Sequence, residues 1–126
     1  DGLIPAVIQD ADTLEILMTA MKIDFSKLDG LIPAVIQDAD TLEILMVGFM
    51  NEEALAKTKA TGFATFWSRT RNKLWMKGET SGNQLKVIET LVDCDEDTLV
   101  LKCKPLGDGV ACHTGERTCF YRTLEN

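Results

Sequence analysis

Two stretches of this chain are the same eighteen residues: DGLIPAVIQDADTLEILM runs from Asp1 to Met18 and again from Asp29 to Met46. Identity without one difference is not the drifted self-similarity of a solenoid, which also needs three or more units to bury its faces. It reads as a recent or engineered duplication, with residues 1–20 an appended copy, residues 21–126 the domain proper and Met21 the original start. Each copy has the pattern of a β-hairpin: the apolar run Pro33 to Ile36, the turn-prone Asp38-Ala39-Asp40, then a second apolar run from Leu42 to Val47. Two identical hairpins compete for one slot in a sheet. If the first filled it, the 28 residues from Thr19 to Met46 would have to loop out, costing about 3 kcal/mol of closure entropy. The second copy, continuous with Val47, is therefore expected in the slot. The first is expected to pair with another sheet edge, in this chain or on a partner, and its removal should leave activity intact.

A chain of 126 residues with 45% hydrophobic content forms one domain. The net charge of −7 and pI near 4.6 argue against general nucleic-acid binding, which leaves a basic footprint. Four of those charges fall in residues 1–20, at Asp1, Asp10, Asp12 and Glu15. An anionic ligand would need a local basic pocket or a bound cation. Apolar runs such as Ile44 to Val47 are far too short for a membrane span and no basic leader precedes them. The expectation is a cytoplasmic protein with no membrane partner, in which four cysteines mean metal ligands or free thiols rather than disulfides.

Asn51 can cap a short helix through Glu52 to Ala56, with acidic residues in its first turn and Gly62 as its stop. Strands are expected over Phe63 to Ser68, Lys73 to Lys77, Gln84 to Cys94, Thr98 to Lys104 and Cys119 to Thr123. One helix among many strands makes the class α+β, with a mainly antiparallel sheet.

The chemistry is concentrated in Asp93-Cys94-Asp95-Glu96-Asp97 and Cys112-His113-Thr114-Gly115-Glu116-Arg117-Thr118-Cys119. Thiolates suit zinc and carboxylates suit magnesium or calcium, so this region can hold two different ions. If Leu91 to Asp97 is extended, Asp93, Asp95 and Asp97 face one way and Cys94 the other. Taken alone, a D-x-D-x-D run is as readily a solvated acidic turn. Cys94, Cys112 and Cys119 lack the paired C-x2-C knuckles of a zinc finger, and three ligands suit a catalytic zinc with an open position better than a closed structural one. Cys103, on an apolar strand, reads as core. His113, the only histidine, is either a hydrogen-bonded structural group or a proton carrier beside the metal.

Arg69, Arg71, Lys73 and Lys77 crowd into nine positions of an otherwise acidic chain, between Trp67 and the loop Gly78 to Asn83. With Ser81-Gly82 they offer charge, a hydroxyl and backbone N–H groups to an anion. The alternative is a charged hairpin over two packed tryptophans.

The runs WSRTRNKLWMKGETSGN, VDCDED and ACHTGERTCFYR, in this order and spacing, resemble phosphoribosyl-AMP cyclohydrolase, an enzyme family of histidine biosynthesis, from about Met21 to Arg122. The resemblance implies an intertwined homodimer with active sites at the subunit interface. It implies zinc on Cys94, Cys112 and Cys119 drawn from both chains, and magnesium on Asp93, Asp95 and Asp97. The substrate would be phosphoribosyl-AMP, its phosphates met by magnesium with Arg69, Arg71, Lys77, Ser81 and Gly82. Zinc-activated water would attack C6 of the adenine ring and open the N1–C6 bond, with His113 relaying the proton. The departures are the N-terminal copy and the lack of the pyrophosphohydrolase domain that follows in some relatives. Two rival readings are a closed structural zinc site that includes Cys103, and a zinc deaminase; the H-x-E and P-C-x-x-C signature of the latter is missing.

Overall fold

The computed structural model describes residues 3–9, 11 and 23–125. A four-stranded sheet has the order β2-β1-β6-β5, built from β1 (Ile32–Asp38), β2 (Ile44–Met50), β5 (Leu85–Val92) and β6 (Leu99–Pro105). Helix α1 (Glu52–Thr61) and the hairpin of β3 (Thr65–Ser68) and β4 (Lys73–Met76) complete the fold. This is the expected α+β class. The β1–β2 and β5–β6 pairings are antiparallel, while β1 and β6 run parallel, joined by a long crossover that contains β2, α1, β3, β4 and β5.

The second copy of the repeat fills the sheet. Asp38 shapes its turn: the carboxylate accepts N–H bonds from Asp40 at 2.8 Å and Thr41 at 3.0 Å, and the Leu42 N–H reaches the Asp38 carbonyl at 2.9 Å. The first copy does not do as expected within the chain. Residues 3–9 belong to no strand; Leu3, Ile4 and Ile8 are exposed. The Gln9 amide donates to the Leu42 carbonyl, 3.0 Å away, an acceptor that the equivalent Gln37 also uses at 3.0 Å. At the β2 edge, the Cys119 N–H bonds the Leu45 carbonyl at 2.7 Å. The rest of that first copy, and Met21, lie outside the described residues.

Helix α1 begins and ends as its sequence dictates. Asn51 Oδ1 accepts the Ala54 N–H at 2.8 Å, Glu52 and Glu53 sit in the first turn, and Gly62 takes the left-handed conformation at φ 82°. Inside the core, Ile32, Ala34 and Ile36 of β1 pack with Leu99, Leu101 and Cys103 of β6, against Ala54 and Leu55 of the helix and Phe66 of β3. Phe66 is fully buried and its ring centroid lies 5.0 Å from that of Trp75. Residues 119–123 form no strand, a correction to the expectation: a single N–H bond from Cys119 latches this segment to β2 without a continuing ladder. Among the described residues, no helix is long and apolar enough to cross a membrane.

Candidate functional site

The acidic run is not extended. Strand β5 ends at Val92, and Asp93 to Asp97 form a turn in which Glu96 has a left-handed φ of 68°. Asp93 organises it. Its carboxylate accepts the N–H groups of Asp97 at 3.0 Å and Thr98 at 3.2 Å, and its carbonyl accepts the Glu96 N–H at 3.1 Å. Strand alternation is thus not what gathers the three aspartates; the turn folds them together, so that one carboxylate oxygen of each lies within 4.8 Å of the others. Burial pushes the Asp93 carboxyl up; the Asp97 N–H bond opposes this, but the neighbouring Asp95 and Asp97 side chains add to the rise. Three like charges converging on a partly buried point are what a hard divalent cation relieves, and oxygen-only donors fit magnesium.

The sulfurs divide. Residues 111–117 close a loop through Ala111 N–H to the Arg117 carbonyl at 3.1 Å and Cys112 N–H to the Glu116 carbonyl at 3.2 Å. The Thr114 hydroxyl donates to Cys112 Sγ at 3.0 Å and holds that thiol below its ordinary value, with a contribution from Cys119. Burial pushes Cys119 up to about 11, and the adjacent Cys112 thiol adds to the shift. These two thiols therefore lie close enough to influence each other, one held below its ordinary value and the other, mainly by burial, above it, and paired thiolates suit a soft cation. Cys94 is exposed in the acidic turn after β5, while Cys119 is latched to β2. Those are opposite edges of the sheet, three strand spacings or about 14 Å apart. A single chain does not bring the three sulfurs together. Cys103 is fully buried in the core, where burial and Asp38 push its thiol up to about 12.

Arg117 fastens the cysteine loop to the sheet. Its guanidinium meets Asp38 Oδ2 at 2.8 Å, Glu43 Oε1 at 2.6 Å and Thr41 Oγ1 at 3.2 Å. This anchor was not anticipated from the sequence, although Arg117 is the only cation between Cys112 and Cys119. His113 is exposed on the same loop.

The basic group is split between two cavities. One, of about 1090 Å³, is lined by Val35, Phe49, Trp67, Arg69 and Asp93, and also by residues 3–8 of the first repeat. The Arg69 guanidinium lies over the Phe49 ring, 4.1 Å from its centroid. The other, of about 480 Å³, is lined by Ser68, Arg71, Trp75, Thr80 and Ser81. Lys77 lies close enough to Cys119 to favour its thiolate. Gly82 belongs to a loop docked on the turn after β6: Asn83 Oδ1 accepts the Asp108 N–H at 2.9 Å, and a side chain on Gly107 would strike Asn83 and Gly82. Trp75 packs on the core, whereas Trp67, half-buried, faces the larger cavity.

The phosphoribosyl-AMP cyclohydrolase family model matches residues 46–121. The chain is 55% identical over 124 residues to the phosphoribosyl-AMP cyclohydrolase of Desulfatibacillum aliphaticivorans, covering 98% of this chain and 76% of that protein. It is 55% identical to the protein of that name from Methylococcus capsulatus, covering all of this chain and 76% of the relative. Against the one from Caulobacter vibrioides the identity is 58%, over all of this chain and 70% of the relative.

Proposed function

This chain belongs to the phosphoribosyl-AMP cyclohydrolase family, an enzyme family, and from that premise we propose that it hydrolyses the N1–C6 bond of the adenine ring of phosphoribosyl-AMP in histidine biosynthesis. One observation carries the reading: the family match, residues 46–121, spans every candidate site residue from Arg69 to Cys119. Residues 21–126 carry the activity, and residues 1–20 are an appended copy.

Cys112 and Cys119 of one chain, with Cys94 of a second copy, would hold zinc, and Asp93, Asp95 and Asp97 would hold magnesium. Bound there, zinc supplies Lewis acidity toward water and magnesium supplies positive charge toward phosphate. The separation of Cys94 from the other two thiols across the sheet supports a homodimer with the site between subunits. Arg69 and the wall of the larger cavity, a volume suited to a nucleotide-sized ligand, would orient the substrate. Arg71, Lys77 and the Ser81-Gly82 loop would meet its phosphates. His113, beside Cys112 and open to solvent, would accept a proton from the water that adds to C6 and deliver it to N1 as that bond breaks. One water is consumed and no redox change occurs.

A spectrophotometric assay with phosphoribosyl-AMP tests this directly. Activity should vanish on chelation and return only when zinc and magnesium are both restored. Turnover that survives exhaustive chelation would defeat the metal assignment, and none under any metal condition would defeat the activity.

A further inference from the structure

The acidic turn already carries a cation. Lys27, in the turn before β1, donates from Nζ to the Asp95 carbonyl at 2.8 Å. The same ammonium lies 3.6 Å from Asp95 Oδ2 and 3.4 Å from Asp97 Oδ2. The main chain holds it there: the Asp24 N–H bonds the Glu96 carbonyl at 2.6 Å, and the Asp24 carboxylate accepts the Ser26 N–H at 2.9 Å. One positive charge against three carboxylates leaves the turn negative, so it still attracts a divalent ion. That ion and the ammonium draw on the same two carboxylates, Asp95 and Asp97. Two cations cannot share them at contact distance without strong repulsion.

We infer that Lys27 is a tethered counter-ion of the aspartate triad, seated on Asp95 and Asp97 when no divalent cation is bound and displaced when one binds, so that it sets the cation concentration at which the site fills. This rests on the magnesium assignment above. The side chain suits the role. A lysine is a compact charge on a flexible stem, and this one is 40% exposed, so it can swing into solvent without disturbing the core. An arginine held bidentate in a buried pocket could not.

The test is a titration of the full chain with Mn²⁺, followed by the electron paramagnetic resonance signal of the free ion, for the unsubstituted protein, Lys27→Met, Lys27→Arg and Asp97→Asn. Removing a competitor held by two partly exposed ion pairs should tighten Mn²⁺ binding about fivefold in Lys27→Met, whereas Lys27→Arg should stay near the unsubstituted value. A second reading follows Lys27 itself: brief acetylation and mass spectrometry should show it more reactive with Mn²⁺ present, while Lys57, on the helix, is unchanged. Equal or weaker Mn²⁺ binding in Lys27→Met, with binding lost in Asp97→Asn, would overturn the counter-ion role and leave the metal site standing. If the unsubstituted protein binds no Mn²⁺, or Asp97→Asn binds as well as it does, the triad is not a metal site and both readings fall.

Discussion

Replacing Gly48 by alanine should damage this fold more than any other single added methyl in β2. Gly48 faces Ala34 across the β1–β2 ladder, and the space above it belongs to Phe66. A Cβ at Gly48 would sit 2.5 Å from Phe66 Cδ1, 2.7 Å from Cε1 and 3.1 Å from Cγ. Carbon atoms pack at about 3.5–4.0 Å, so the ring must retreat by about 1 Å. It has little room, because Phe66 is fully buried and Trp75 packs against it. Overpacking of this kind costs about 2 kcal/mol, or a fall in Tm of roughly 6–10 °C for a chain of this size. The shift should also reach the larger cavity, since Trp67 and Arg69 follow Phe66 along β3 and its turn. Urea denaturation of Gly48→Ala, Phe66→Leu and the double variant measures the coupling. If the clash is the cause, the smaller leucine relieves it, and the double variant should be more stable than the sum of the singles by about 1 kcal/mol or more. Additive losses, or a Gly48→Ala change within about 0.5 kcal/mol, would refute the reasoning.

Three other outcomes are expected. Cys103→Ala should keep its full zinc content and activity with only a small loss of stability; loss of zinc, measured by mass spectrometry of the metal, would mean that the buried thiol is a ligand after all. A variant lacking residues 1–20 should retain activity, and an inactive folded product would show that the first copy contributes to the cavity it lines. Burial pushes the Asp38 carboxyl up, but the N–H groups of Thr41 and Asp40 and the Arg117 guanidinium outweigh it and hold it below the usual carboxylate range. Its stabilisation is then complete above the unfolded value of about 3.9 and is lost as pH falls through the lower folded value. Asp38→Asn should therefore flatten the acid limb of the stability curve below about pH 4, as followed by circular dichroism; an unchanged limb would contradict the assignment.

The helix was legible because its signals are local: Asn51, two glutamates and Gly62 act on neighbouring backbone groups. The strands were legible from alternation and turn residues, to within a residue or two at most ends. The parallel β1–β6 pairing was not, since it depends on where the chain returns after some sixty residues and no local pattern encodes that. The 119–123 segment looked like a strand from its apolar residues, yet no neighbour offers it a ladder. At the site, residue types announced the donors, but their arrangement depended on a turn centred on Asp93 that alternation alone misdescribes. Lys27 and Arg117 were invisible for a related reason. Their partners lie 68 and 79 residues away along the chain, and a lone lysine or arginine carries no signature of the company it keeps.

The β1 strand, flanked on both sides in the finished sheet, is spelled twice in this polypeptide. As the chain leaves the ribosome, the earlier spelling emerges first and can zip into a hairpin before its twin exists. Any hairpin formed at that stage would have to give way, because the second copy supplies β1 and β2 of the finished sheet, and the competitors are distinguished only by where they are tethered. Refolding of the whole chain should thus be heterogeneous in time, whereas the shortened version, with one candidate for the post, has nothing to exchange.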